Sequence, residues 1–437
     1  MKRTCVIFLT MLLSVILVAP LNSQTVKAET STGGWTKTYG GTSEDWTAAL
    51  VQTADGGYAL TGFTGDFDAG GLDAWLVKTD ASGTMMWNKT YGGTDWDYAA
   101  ALVQTVDGGY ALAGGTNSSG AGSLDFWLMK TDANGNAQWN KTYGGTSNEE
   151  ASALVETVEG GYALAGYTNS FGAGWLDFWL VKTDAAGNAQ WNKTYGGTGE
   201  DGAAALVQTA DEGYALAGGT NSSGTGYGDA WLVKTDASGN MMWNKTYGVA
   251  DWDYAAALVE TVDSGYALGG STRSLGAGDS DFWLVKTDAA GNAQWNRTYG
   301  GTGFDQAYAL VRTVDGGYAL AGRTSSFGAG SSDFWLVKTD SSGTMQWSKT
   351  YGGADNDWSD ALVQTVDGGY ALGGSTRSFG AGNADFWLVK AKADGTVQDW
   401  SPDLILIALV VAIIVVVILL AVVLMRRKSR RSLKKPS

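Results

Sequence analysis

The chain has 437 residues with 44 acidic against 29 basic side chains, one Cys and no His. Without His, and with Cys5 as the sole thiol, Ser-His-Asp and Cys-His nucleophilic sites, a disulfide framework and His/Cys metal centres are all excluded. A hydrophobic fraction of 44% with 64 Gly but only 3 Pro speaks against a disordered Gly/Pro-rich chain.

Residues 1–28 open with Met1, Lys2 and Arg3, run through an apolar stretch from Val6 to Ala19 and reach Val26-Lys27-Ala28. A basic start, an apolar stretch and a small-residue end predict a secretory signal peptide. An uncleaved N-terminal anchor is the alternative. Cys5 comes too early to be a lipid-bearing cysteine behind the apolar stretch.

The next segment, 29–398, is a repeat. Trp35, Trp87, Trp139, Trp191, Trp243, Trp295 and Trp347 stand 52 residues apart, as do the series from Trp75 to Trp387 and from Tyr58 to Tyr370. A fixed period of this length marks a solenoid, propeller or array, because one unit cannot bury its apolar face alone. The third unit reads as four strands. They are Ala153 to Thr157, Tyr162 to Thr168, Asp177 to Thr183 and Gln190 to Tyr195. Glycine-bearing turns at 158–161 and 184–188 and a loop at 169–174 separate them. Helical periodicity is absent. Four antiparallel strands per period predict one propeller blade, and seven copies predict an all-β, seven-bladed β-propeller. A linear β-solenoid is the alternative, though its repeats are usually shorter.

The phase of the repeat predicts how the ring closes. The first strand, Trp35 to Tyr39, matches a fourth strand of a unit. The last unit stops after its third, Asp385 to Lys390, and Asp399 stands where the next Trp falls due. Pairing the two completes seven blades of four strands.

Asp-Phe-Trp-Leu-Val-Lys-Thr-Asp-Ala-x-Gly-Asn, Trp-Asn-Lys-Thr-Tyr-Gly-Gly-Thr and Asp-Gly-Gly-Tyr-Ala-Leu-Ala-Gly-x-Thr resemble the seven-bladed β-propeller repeats of bacterial and archaeal surface proteins. The resemblance covers roughly residues 33–395. It implies a binding or scaffold module and carries no catalytic residues. The hairpin from Asp132 to Trp139 also resembles quinoprotein propeller repeats, and quinone-cofactor chemistry is suggested by that likeness alone.

After a short linker at 399–403, Leu404 to Met425 is 22 residues without a charge. At about 1.5 Å per residue it reaches roughly 33 Å, enough for one transmembrane helix. Seven basic residues follow in the tail 426–437, so the positive-inside rule places the tail in the cytoplasm and the propeller outside the cell. With 19 basic and 44 acidic residues, the segment 29–403 carries a net charge of −25. Nucleic acid is not an expected partner of such a surface.

Candidate site residues lie on one face of the ring. Ten residues after each fourth-strand Trp comes an acid: Asp45, Asp97, Glu149, Asp201, Asp253, Asp305 and Asp357. Beside them stand aromatics that do not repeat: Trp46, Trp96, Tyr98, Trp252, Tyr254, Phe304 and Trp358. Loops on a rigid scaffold concentrate binding residues, so these aromatics with Asp45, Asp97, Asp253 and Asp357 form the candidate binding surface. The alternative is that the acids cap turns and the aromatics merely cover the ring. Asp355, Asp357 and Asp360 are spaced so that their oxygens could meet a Ca²⁺ ion; no other cofactor is expected. A second acidic series, from Asp73 to Asp385, opens every third strand and reads as a loop cap.

Asn88, Asn140, Asn192, Asn244 and Asn296 begin Asn-x-Thr, and Asn117 and Asn221 begin Asn-Ser-Ser. In a secreted protein these are candidate glycan acceptors. The resulting expectation is a monomeric propeller, anchored by Leu404–Met425, that binds a surface polysaccharide or protein. A carbohydrate-active enzyme using upper-face carboxylates is the second reading.

Overall fold

The computed structural model describes residues 33–67 and 71–397, and every absence stated below refers to these. The signal peptide, linker, transmembrane helix and basic tail expected from the sequence lie outside them. Among the described residues no helix is long and apolar enough to cross a membrane.

Each period folds as one four-stranded antiparallel sheet. In the third blade the inner strand is Glu149–Glu156, followed by Tyr162–Thr168, Asp177–Thr183 and the outer strand Ala189–Tyr195. The strands follow from β-branched and aromatic residues between turn signals. The first hairpin closes where Gly160 N–H donates to Thr157 O at 2.8 Å, with Gly160 at φ 85°. In the second, Asp184 Oδ1 accepts the N–H groups of Ala186 and Asn188 at 2.9 and 2.8 Å. Both turns open on one face of the ring, the lower. The upper face carries the loops between second and third strands and the links from each outer strand to the next inner one.

The blades span residues 45–91, 97–143, 149–195, 201–247, 253–299, 305–351 and 357–391. The seventh takes its outer strand from the N-terminal side. Trp35–Tyr39 pairs antiparallel with Asp385–Ala391, from Trp35 opposite Lys390 to Tyr39 opposite Phe386. This is the closure that the repeat phase predicts. On the lower face Val366 N–H of blade 7 donates to Gln52 Oε1 of blade 1 at 3.0 Å, a second link across the seam. The inner strands follow one another around a central channel.

The core lies between blades. Third-strand Trp179 is buried and meets Phe126 of the preceding blade with ring centroids 4.5 Å apart. Outer-strand Trp191 is half-buried and meets Tyr214 of the next blade edge-on at 5.8 Å. The Tyr195 hydroxyl donates to Gly239 O of that blade at 2.7 Å. Third-strand Lys78 crosses to the lower turn, where it pairs with Asp55 at 2.8 Å, and the other six blades repeat this Lys–carboxylate pair.

Candidate functional site

The two acidic series belong to the framework. Asp177 Oδ2 accepts the N–H groups of Ala173 and Gly174, at 2.9 and 3.0 Å, and so fixes its upper loop. Asp97 Oδ2 accepts Gly93 N–H at 2.7 Å and the Ser118 hydroxyl at 2.6 Å. Asp357 repeats this with Gly353 and Ser378 at 2.8 and 2.7 Å, and its other oxygen accepts from Thr376. Asp253 accepts from Val249 N–H and the Ser274 hydroxyl, and Asp45 from Gly41 N–H. Burial pushes Asp45 up to about 6. Asp45, Asp97, Asp253 and Asp357 are at most 1% exposed, so they tie blades together and do not face a ligand. The expectation that they are ligand contacts is corrected in favour of the turn cap, because alternation along the strand turns them inward.

The three residues of the candidate Ca²⁺ trio stand in different surroundings. Asp355 is exposed on a link, Asp357 is a buried cap, and Asp360 faces the channel. Among the described residues no group of three or more His, Cys, Asp or Glu side chains is arranged to hold a metal ion.

The residue after each cap points the other way, toward the channel mouth. Here the repeat breaks. Each inner-strand residue has a cross-strand partner on the second strand. These pairs are Trp46–Phe63, Tyr98–Gly115, Glu150–Tyr167, Gly202–Gly219, Tyr254–Ser271, Gln306–Arg323 and Trp358–Ser375. No two are alike, although the strands that carry them are nearly identical.

Blades 1, 6 and 7 join at one side of the mouth. The rings of Trp46 and Trp358 lie 4.5 Å apart, and Trp46 stacks on Phe63 at 6.2 Å. The Trp46 indole N–H is buried without a hydrogen-bond acceptor among the described residues. Arg323 donates from Nε to Gln306 Oε1 at 3.0 Å, the Tyr308 hydroxyl donates to the same oxygen at 2.9 Å, and the guanidinium lies 6.0 Å over the Tyr308 ring. Arg377 lies 5.6 Å over Trp358 and pairs with Glu44 at 3.6 Å. Beside them lies a cavity of about 380 Å³ lined by Trp46, Tyr308, Arg323, Ser332, Asn356, Trp358 and Asp360. Burial pushes the Asp360 carboxyl up to about 8, against the pull of Arg323. Across the channel Glu150 accepts the Tyr167 hydroxyl at 2.8 Å. Burial, and then the Glu150 charge, raise Tyr98 well above the usual phenol range.

The expected aromatics thus divide. Trp46, Tyr98, Tyr254 and Trp358 line the mouth. Trp96, Trp252 and Phe304 stand on the upper rim, exposed at 62, 47 and 43%. Arg273 covers Phe304 at 5.7 Å. The sequence reading missed Arg323, Gln306, Tyr308 and Glu150, and also Trp175 and Tyr227, which are about three-quarters exposed on upper loops. Their signal was available as departures from the repeat at positions that are not aromatic in every blade. The sequon asparagines Asn88, Asn140, Asn192, Asn244 and Asn296 are exposed on outer strands, and Asn117 and Asn221 on upper loops. Asn88, Asn192 and Asn244 also accept the indole N–H of Trp75, Trp179 and Trp231 at 3.2–3.3 Å, a role in the framework itself.

No protein-family model matches the chain. A stretch of 135 residues, 28% of this chain, is 29% identical to the regulatory protein FlaEY of Caulobacter vibrioides and covers only 14% of that protein's length. Solved structures similar to this chain include Sqt1 from Chaetomium thermophilum, at 15% identity and TM-score 0.46 over 77% of this chain and 83% of that one. The Pan2 WD40 domain of Neurospora crassa gives 11% identity and TM-score 0.47 over 82% and 99%. Puromycin hydrolase gives 12% and 0.48 over 80% and 52%. At these identities the likeness concerns fold alone; the seven-bladed propeller is established by the strand pairing of this chain.

Proposed function

We propose that the propeller is a glycan-binding module whose site is the channel mouth between blades 1, 6 and 7. One observation carries this reading. A framework that repeats nearly residue for residue departs from its repeat where Trp46, Trp358, Arg323, Tyr308 and Asp360 surround one cavity. Packing makes the same demand of every blade, whereas a ligand contact is needed only once. Half-buried aromatic faces beside amide, guanidinium and carboxyl groups suit a sugar, which offers C–H faces for stacking and hydroxyls for hydrogen bonds.

With the signal peptide and the apolar segment Leu404–Met425, the module would stand on the outer surface of a cell membrane with its tail in the cytoplasm. Protease added to intact cells would then release the propeller and spare a tag placed after Ser437. A glycan array probed with the full-length chain tests the binding reading. Loss of signal from a Trp46→Ala/Trp358→Ala double variant that still folds supports it, and unchanged signal rejects the site.

A hydrolase is the second reading, favoured by Asp360. A carboxyl held protonated near neutral pH is suited to general-acid work. Release of reducing ends from array hits by the parent chain, abolished in Asp360→Asn, would establish it.

A further inference from the structure

Blade 4 is unlike the others at the mouth. Its cross-strand pair is Gly202 and Gly219, so at this level it places no side chain on the channel wall, where every other blade places at least one. A Cβ added at Gly202 would meet nothing within 4 Å, so the wall is open at that point. Neighbouring aromatics close in around the gap. The Tyr254 ring rests against Gly219, where an added Cβ would fall 2.7 Å from Cδ2. Trp252 rests over Gly228, where an added Cβ would fall 2.7 Å from Cε3. Between the two, Asp253 N–H donates to Gly228 O at 2.8 Å and fixes the start of their strand.

The result is a notch of about 160 Å³ with a floor of glycine backbone and two aromatic walls, and with Glu200 and Asn221 at its edge. That is space for roughly five waters at ~30 Å³ each, or for one sugar ring. Trp252 and Tyr254 remain 47 and 41% exposed, an area of aromatic surface that no protein group covers. The notch lies across the channel from the cavity of blades 1, 6 and 7.

We infer that this notch is a second sugar subsite and that the ligand is an internal stretch of a glycan chain lying across the channel mouth. The inference rests on the mouth cavity being a glycan site. A single sugar cannot reach both places. A chain long enough to span them makes its second contact, at the notch, intramolecularly, so its affinity rises once it is long enough to reach both. The walls differ in character. The first cavity offers Arg323 and Asp360, the notch Glu200 and Asn221, so the two subsites would select different hydroxyl patterns along the chain.

The test titrates the full-length chain with β-1,4-glucan, α-1,4-glucan and β-1,4-N-acetylglucosamine oligosaccharides from disaccharide to hexasaccharide. The expected result is a hexasaccharide bound at least tenfold more tightly than the disaccharide in one series. Gly202→Leu, whose Cβ meets nothing within 4 Å and whose side chain would occupy the notch, should erase that gain and leave disaccharide affinity unchanged. If it lowers the melting temperature sharply, Trp252→Ala with Tyr254→Ala removes the walls instead and should give the same loss. Equal affinity for disaccharide and hexasaccharide would overturn the second subsite while the mouth reading stands. A gain with length that survives both variants would also overturn it. Failure of every series to bind would overturn both.

Discussion

Phe386 of the last blade meets Trp75 of the first edge-on, with ring centroids 4.6 Å apart. The same contact recurs between ordinary neighbours, for example Phe178 with Trp231 at 4.6 Å. The seam where the ends of the ring meet is therefore packed like any other blade boundary, and it depends on a strand borrowed from the N-terminal side.

Two truncations of this packing should differ in size. Trp75 is 1% exposed, so Trp75→Ala should cost about 3–5 kcal/mol, as buried aromatic deletions do. Trp191 is only half-buried, and Trp191→Ala should cost less. Deleting residues 30–41 should strip blade 7 of its outer strand and lower the melting temperature sharply. Denaturant melts of the three variants check this. A deletion that melts like the parent would mean the seam contributes nothing.

Repetition also exposes local flaws. Two lower-face turns hold non-glycine residues in left-handed backbone, Glu212 at φ 64° and Ser264 at φ 59°, where other blades have glycine. Glu212→Gly and Ser264→Gly should each stabilise by about 1 kcal/mol, because the αL cost of a side chain is removed. Around the same face, side-chain oxygens of Gln104, Glu156, Gln208, Glu260, Gln364 and Gln52 accept a backbone N–H from the preceding blade. Arg312 holds the seventh position, and a guanidinium has no acceptor. Arg312→Gln should restore the bond and add about 0.5 kcal/mol at this exposed site. Chemical denaturation of single variants reads both effects.

Stability should pass through a maximum in mild acid. Burial raises Asp360 to about 8 and Asp45 to about 6, so the folded chain holds protons that an unfolded carboxylate, near 3.9, has lost. Their contribution grows as pH falls from about 8 toward 4. Below that the sign reverses. Asp107 is held at about 2 by hydrogen bonds from Thr105 and then Lys130, and Asp263 by bonds from Lys286 and then Thr261. Their stabilisation is present above about 4 and lost as pH falls toward 2. Melting temperatures across this range check the shape. Asp360→Asn, which removes the carboxyl facing Arg323 and Tyr308, should flatten the limb above pH 4 and leave the acid limb in place.

The architecture was legible because a 52-residue period constrains every level at once. Trp35 without a preceding third strand and Asp399 in place of Trp foretold the pairing of Trp35–Tyr39 with Asp385–Ala391. The site was only half legible. Trp46 and Trp358 announced themselves as aromatics beside a repeated acid. Arg323 did not, because its meaning depends on standing opposite Gln306 across two strands. The acids misled for the opposite reason. A carboxylate beside an exposed Trp reads as a ligand contact, but strand alternation turns Asp45 inward as it turns Trp46 toward the channel.

The central claim is that the channel mouth between blades 1, 6 and 7 binds the ligand. Calorimetric titration of a glycan-array hit tests it most directly, comparing Arg323→Ala and Trp358→Ala with Val314→Ala, a lower-face control 90% exposed. Each mouth variant should weaken binding at least tenfold while melting within a few degrees of the parent, and the control should bind as the parent does. Parent-like affinity in both folded mouth variants would contradict the claim.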